Sequence, residues 1–319
     1  MAQTSLVPAD RPYFVLLQRL GRGGSAETWR ARRQGGLLAD EVCIKRPILP
    51  VDEQRQQALI EESRVLSRIR HQNVVSLLGA HHTEEGEVFL VLELVDGIDL
   101  RRLIRALGTR RLPPEVIAGL GLGLCRALAA AQRALPPGVV HRDLSPSNVL
   151  ISREGEVKLA DFGVARAFDR ERWTGPGLVK GKMAYVSPEQ ARGGDLDIRS
   201  DLFALGVVLF ELLAGRRPFI GSDRLSTLRA IVAGERPALA ALVEKAPPAL
   251  LSAVERLLAS HRDDRPRSAD AAARLLALCA DEHRTAGELR RLVLQGRLPG
   301  LVRAPRPVVA LRSAPPAER

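Results

Sequence analysis

Two short segments hold the side chains with the clearest chemistry. In VVHRDLSPSNVLI (139–151), Asp143 and Asn148 stand five apart in a polar loop between apolar runs. In VKLADFGVA (157–165), Asp161 follows a strand pattern and precedes Gly163. Mg2+ takes hard oxygen ligands, usually one or two carboxylates completed by phosphate oxygens. Asp161 and Asn148 could supply such ligands, leaving Asp143 to orient a hydroxyl. The plainer alternative is two ordinary turns, because Asp, Asn, Ser, Pro and Gly all favour turns. Upstream, Leu20 leads into GRGGSAETW (21–29), where Gly21 and Gly23 lie between two strand patterns. Glycine there lets backbone N–H groups approach phosphate oxygens, although such a hairpin is by itself a common turn. Ala26 occupies the third glycine position of a G-x-G-x-x-G loop, and no helix pattern follows, which argues against a dinucleotide-binding βα turn. Lys45 ends the apolar strand VCIK (42–45), and the helix pattern after it carries Glu61 and Glu62. A buried Lys needs a carboxylate partner, and a helix supplies one rigidly; otherwise Lys45 snorkels at an edge.

The elements that must position these groups follow from periodicity. Tyr13–Leu20, Thr28–Arg32, Glu41–Arg46, Val74–Ala80 and Glu87–Leu94 read as strands, rich in Val, Ile or Leu. Asp52–Ile69 reads as a helix, with apolar residues at Leu59, Ile60, Val65, Leu66 and Ile69. From Leu100 onward the pattern is helical. Glu115–Arg133 is one helix, weakened by Gly119, Gly121 and Gly123. Ser200–Leu213 is apolar nearly all round and reads as a buried central helix. Arg224–Ala233, Ala249–Ala259 and Ser268–Ala280 complete the helices. Strands first and helices after imply an α+β chain with two segregated lobes.

Composition excludes several classes. The chain of 319 residues is 45% apolar and 27% charged, which is globular rather than disordered. Three cysteines (Cys43, Cys125, Cys279) are too few and too scattered for a disulfide framework or a zinc site, so a reducing cytoplasm is the expected setting. The uncharged run Leu202–Phe210 is far short of a membrane span, and the opening MAQTSLVPADRPY has no apolar signal core. The net charge of +11 is uneven: residues 284–319 carry eight Arg against two Glu, with five Pro. That stretch reads as a solvated basic extension with one short helix near Gly287–Leu294. The alternative is a contact for an acidic partner such as a regulatory protein, or for lipid headgroups; nucleic acid is not the expected ligand.

In order and spacing, these motifs resemble the eukaryotic-type (Hanks-type) protein serine/threonine kinase family and its bacterial members. The resemblance runs from about Tyr13 to Ala280 and includes VSPEQ (186–190), DIRSDLFALGVVLFELL (197–213) and HRDDRP (261–266). It implies a bilobal fold with a small β-rich N-lobe, about 13–95, and a larger helical C-lobe, about 96–280. An N-terminal extension (1–12) and the basic tail (281–319) flank these. It implies ATP with Mg2+, or Mn2+ in its place, and phosphoryl transfer to Ser or Thr on protein substrates. By position, Leu20, Gly21 and Gly23 would cover the nucleotide, and Lys45 would hold its α- and β-phosphates and pair with Glu62. Glu93 and Val95 would present backbone groups to adenine, with Leu92 at the back of the pocket. Asp143 would accept or orient the hydroxyl, and Asn148 and Asp161 would hold the metal. His141, Phe162, Leu66 and Leu77 would stack as an apolar column. Asp201 would tie down the catalytic-loop backbone, and Glu189 and Arg265 would form a buried ion pair.

Three departures from the family pattern stand out. Ala26 replaces the last loop glycine. Ser145 stands where such kinases carry Lys, and Lys182 where they carry Thr in GKMAYVSPE (181–189). The family places those two side chains together at Asp143, which suggests a swap: Lys182 brings the cation and Ser145 the hydroxyl. The alternative is that Lys182 points to solvent. Arg142 and Arg166 would repel unless an anion lies between them. Thr174 is the one Ser or Thr between Val164 and Val186, so its phosphorylation, by the enzyme itself, is expected to order the segment through Arg142. Two other functions fit parts of the pattern: a kinase-like scaffold with weak or no catalysis, and a small-molecule phosphotransferase of the aminoglycoside or choline type. The intact Lys45, Glu62, Asp143, Asn148 and Asp161 argue against the first. The long segment from Asp161 to Glu189, with Arg265 to match, argues against the second.

Overall fold

Apolar residues alternate along β1 (Tyr13–Arg22), so Phe14 and Leu16 turn into a core while their neighbours face outward. The computed structural model describes residues 13–34, 41–136, 138–162, 182–295 and 309–312. Arg166 and Thr174, and Gly163 after Phe162, lie outside the described residues. The chain forms two compact units that are not contiguous in sequence. One takes residues up to Ser63, Leu77–Leu94 and the stretch from Leu298 onward. The other takes Arg64–Ser76 and Val95–Arg297.

In the first unit, β1 pairs with β2 (Ala26–Gln34), and β2 with β3 (Glu41–Pro47). Helix α1 (Glu53–Leu66) follows, opened by the Asp52 carboxylate accepting from Arg55 N–H at 2.7 Å. Next come β4 (Leu77–His82) and β5 (Val88–Glu93), and a late strand, β9 (Val309–Arg312), joins the same sheet. The order is β4-β5-β3-β2-β1-β9, antiparallel throughout. The sheet curls enough to bring Phe14 on β1 within 5.8 Å of the His81 ring on β4. Phe14, Leu16, Ala31, Val42, Ile44, Phe89, Val91 and Leu311 form its buried cluster. The strand expected to begin at Val74 begins at Leu77 instead. Val74 belongs to the second unit, where it makes a parallel bridge to Leu159, because Asn73 is held there by a bond from its Nδ2 to the Val157 carbonyl at 2.7 Å.

The second unit opens with β6 (Gly97–Asp99) and α2 (Leu100–Leu107), which Asp99 caps by accepting from Arg102 N–H. β6 pairs with β7 (Val149–Ser152), and β7 with β8 (Val157–Leu159). These strands of three or four residues are too short for alternation to reveal; β8 is the strand pattern read before Asp161, whereas β6 and β7 were not expected. Between β6 and β7 runs α3 (Pro114–Ala134). By length and composition α3, rather than Leu202–Phe210, is the helix among the described residues long and apolar enough to cross a membrane. In this structure Val116, Ile117, Leu120, Leu124 and Leu128 are buried in the protein core. After α4 (Pro188–Arg192), the central helix α5 (Ile198–Ala214) is buried nearly throughout. Helices α6 (Arg224–Ala233), α7 (Pro248–Leu257) and α8 (Ala269–Ala277) follow.

The described parts of the C-terminal stretch are not a solvated tail. α9 (Glu282–Gln295) is longer than the helix expected near 287–294, and it buries Thr285, Leu289, Leu292 and Val293. Two glycines let it dock closely. A Cβ at Gly119 on α3 would lie 2.0 Å from Thr285 Oγ1, and one at Gly155, in the β7–β8 turn at φ +87°, 2.0 Å from the Ala286 carbonyl oxygen. Arg126 grips Glu282 in a two-bond fork of 2.6 and 2.8 Å, and Arg284 reaches Glu115 at 2.5 Å. Part of the basic charge is therefore spent on holding the helix.

Candidate active site

In the first unit, β3 carries Lys45 opposite Thr28 on β2 and Leu90 on β5. Lys45 is 8% exposed, so its charge needs a partner. α1 brings that partner: Lys45 Nζ donates to Glu62 Oε1 at 2.6 Å and Oε2 at 2.7 Å, and Glu62 is itself 5% exposed. Of the two adjacent glutamates on the helix, the one in contact with Lys45 is Glu62, the residue the family resemblance implied. Gly21 lies at the end of β1 and Gly23 just beyond it, in a tight turn that Gly23 N–H closes onto the Ala26 carbonyl at 2.8 Å. Leu20 precedes them on β1; Leu92 and Glu93 end β5, Leu92 being buried, and Val95 follows in the chain.

In the second unit, the loop from His141 to Asn148 is fixed from several sides. Asp201, on the first turn of α5, accepts from His141 N–H at 2.7 Å and Arg142 N–H at 2.8 Å. Burial pushes the Asp201 carboxyl up to about 7, against those two backbone donors. Arg142 itself adopts φ +65°, a left-handed conformation costly for a side-chain-bearing residue. His141 is fully buried, and burial pulls its imidazole down to about 4, so the ring is neutral. Its Nε2–H then donates to the Ala160 carbonyl at 3.0 Å, while Nδ1 accepts from Asp143 N–H at 3.3 Å. The ring also packs on Phe162, with centroids 4.7 Å apart. Ala160 N–H donates to the Asn148 carbonyl at 2.9 Å. Both neighbours of Asp161 are thereby anchored, and Asp161 takes a left-handed φ of +60° between them. Of the expected apolar column, His141 and Phe162 touch, Leu66 is buried in the same unit, and Leu77 belongs to the first unit.

Asp143 gathers the polar groups. Asn148 Nδ2 donates to its carbonyl at 2.8 Å and to Oδ2 at 3.0 Å, and Lys182 Nζ donates to the same Oδ2 at 2.7 Å. Because the amide nitrogen of Asn148 is committed to Asp143, its amide oxygen is left as an acceptor directed elsewhere. That oxygen and the Asp161 carboxylate are hard donors of the type that could hold Mg2+ or Mn2+, with phosphate oxygens completing the shell. Among the described residues no group of three or more His, Cys, Asp or Glu could hold a metal alone. Ser145 is buried, and its hydroxyl meets Ser147 Oγ at 3.0 Å.

A protein kinase domain model matches residues 14–276. The chain belongs to the protein kinase family. Relatives include a protein named tyrosine-protein kinase MasK from Myxococcus xanthus, 35% identical over 89% of this chain and 46% of its own length. Another is the DNA damage-responsive serine/threonine-protein kinase RqkA of Deinococcus radiodurans, 37% identical over 83% of this chain and 39% of its own. Serine/threonine-protein kinase PknL of Mycobacterium tuberculosis is 34% identical over 86% of this chain and 66% of its own. The chain thus spans less than two thirds of the length of these relatives.

For a protein kinase, the bracing of the segment that ends in SPE is informative. Glu189 and Arg265 form a two-bond pair of 2.8 and 3.0 Å, and the Arg265 side chain is 0% exposed. Burial would raise the Glu189 carboxyl, but bonds from Arg265 and Ser200 hold it below the usual range. Arg265 also donates to the carbonyls of Ala259, Arg199 and Ser260 and covers the Phe203 ring. Sequence reasoning missed Gln190, whose Nε2 donates to the Arg142 carbonyl at 3.0 Å while its Oε1 accepts from Ser187 N–H. The signal was present as a capping box, Ser187-x-x-Gln190. It missed Ser200 for want of any pattern, since a lone Ser on a buried helix has many uses.

Proposed function

We propose that this chain transfers the γ-phosphoryl group of ATP to Ser or Thr hydroxyls of proteins, including its own segment between Asp161 and Glu189. The observation that carries this reading is Asp143, held by Asn148 and Lys182 in a loop whose backbone Asp201 pins. Asp143 would orient the incoming hydroxyl and accept its proton, so that the oxygen attacks as the proton leaves. Lys45, kept extended by Glu62, would hold the α- and β-phosphates, with Leu20, Gly21 and Gly23 covering them. Glu93 and Val95 would meet adenine. Asn148 and Asp161 would hold Mg2+, which when bound neutralises charge on the phosphate oxygens. Catalysis would be mainly positioning and charge neutralisation.

The Lys182–Asp143 contact supports the swapped arrangement, in which Lys182 supplies the cation at the reacting group. The Ser145 hydroxyl meets Ser147 instead, so support for the Ser145 half is weaker. Losing one charge-assisted hydrogen bond of about 1.5–3 kcal/mol would slow turnover roughly ten- to a hundred-fold. A double-mutant cycle of Ser145→Lys and Lys182→Thr should be strongly non-additive in turnover; strict additivity would remove the swap. Regulation by phosphate on Thr174 would act through Arg142, whose Nε is buried without a hydrogen-bond partner among the described residues. Mass spectrometry of active protein should find that phosphate.

The decisive assay incubates the chain with ATP, Mg2+ and a generic protein, with Asp161→Ala as control. Labelled phosphoserine or phosphothreonine, absent in the control, is the expected product. Phosphotyrosine would instead align the chain with the relative named as a tyrosine kinase, and no transfer would return it to a scaffold. The lobe division, a cytoplasmic setting and a regulatory partner at the basic C-terminal stretch are part of the same proposal. Cys43, Cys125 and Cys279 form no disulfide, in keeping with a reducing setting.

A further inference from the structure

Strand β1 has β2 on one side, and on its other side it is met by β9 alone. The register is short and complete: Tyr13 faces Arg312, Phe14 faces Leu311, Val15 faces Ala310 and Leu16 faces Val309. An edge left open would offer a row of unpaired N–H and C=O groups to any extended chain. Here the edge adjoins an apolar seam. The curl of the sheet brings His81 on β4 to 5.8 Å from Phe14 and 5.5 Å from Phe89, and Leu311, 8% exposed, joins the buried cluster at Phe14 and Leu16. The backbone pairing would suit almost any sequence, whereas the seam asks for one apolar side chain at the position facing Phe14.

We propose that the β1 edge is a strand-acceptor site for an extended segment with a leucine-sized side chain opposite Phe14, and that its resident occupant is residues 309–312 of this same chain. Four paired residues with one buried anchor make an attachment at the low-stability end of the fold, one that opens locally without global unfolding. A free segment of the same type therefore competes for the edge in trans.

The test uses the full chain and does not depend on phosphoryl transfer, so a failed kinase assay leaves it intact. Amide hydrogen exchange at residues 13–16 should accelerate at least ten-fold in Leu311→Asp and remain near wild type in Leu311→Met. A synthetic peptide of residues 305–316 should bind the Leu311→Asp chain and restore protection at 13–16. The same peptide carrying Asp for Leu311 should bind at least ten-fold more weakly. Unchanged exchange in Leu311→Asp, or equal binding of the two peptides, would overturn the proposal. Should Leu311→Asp not fold, the wild-type chain with excess peptide serves: a fluorescent peptide must bind saturably and be displaced by its unlabelled copy, and absence of binding also overturns it.

Discussion

Asp201 shows how a single buried carboxylate can set the geometry of a reactive loop without touching a reactant. Replacing it by Asn puts an NH2 group where one backbone N–H needs an acceptor. One bond is lost and a donor is left facing a donor, a cost of about 1–3 kcal/mol. Turnover of Asp201→Asn should fall about ten-fold or more. Its pH behaviour has a definite sign. Burial raises the folded carboxyl to about 7, above its unfolded value. Between roughly pH 4 and 7 the native state then binds a proton that the unfolded chain does not, so this group's contribution to stability falls as pH rises. The neutral His141, pulled down to about 4, has the opposite slope between about 4 and 6.5, because there the unfolded chain binds the extra proton. The two offset each other in the wild type. The stability of wild type minus that of Asp201→Asn isolates the Asp term. It should decline by up to about 1.4 kcal/mol per pH unit across that window. A constant difference in denaturant titrations would contradict it.

Among elements, the buried pairs decide more than the exposed ones. Arg265 braces α4 and α5 through Glu189 and three carbonyls, so Arg265→Ala strands a buried carboxylate and should cost about 3–5 kcal/mol by chemical denaturation. Arg133–Asp270, with side chains 62% and 56% exposed, is a surface pair worth at most about 1 kcal/mol. Docking of α9 makes a separate prediction. Gly119→Val would drive a branched side chain into Thr285, and Leu289→Ala would open a cavity where the wild-type side chain is 0% exposed. The second should cost about 2–5 kcal/mol in a denaturant midpoint shift. A cost near zero for both would mean that α9 is not part of the core.

For the molecule as a whole, the sequence determined the family, the strand–helix division and the identity of the polar groups. Asp143, Asn148, Asp161, Lys45 and the Glu61–Glu62 pair were legible because phosphate and metal chemistry demand particular side chains at nearly fixed spacing. The helices α1, α3, α5 and α7 were legible because burial of one face, or of all faces, imposes a local period. Only the tertiary structure decided that Lys182 reaches Asp143 across 39 positions, and that Gln190 and Ser200 complete the bracing. It also decided that Gly119, read as a weakness in α3, is the space into which Thr285 fits, and that the stretch read as a solvated tail supplies both α9 and β9. The reason is physical. Periodicity and spacing report interactions among residues near in the chain, whereas close approach, edge pairing and the choice of a charge partner depend on surfaces that exist only once distant segments have packed.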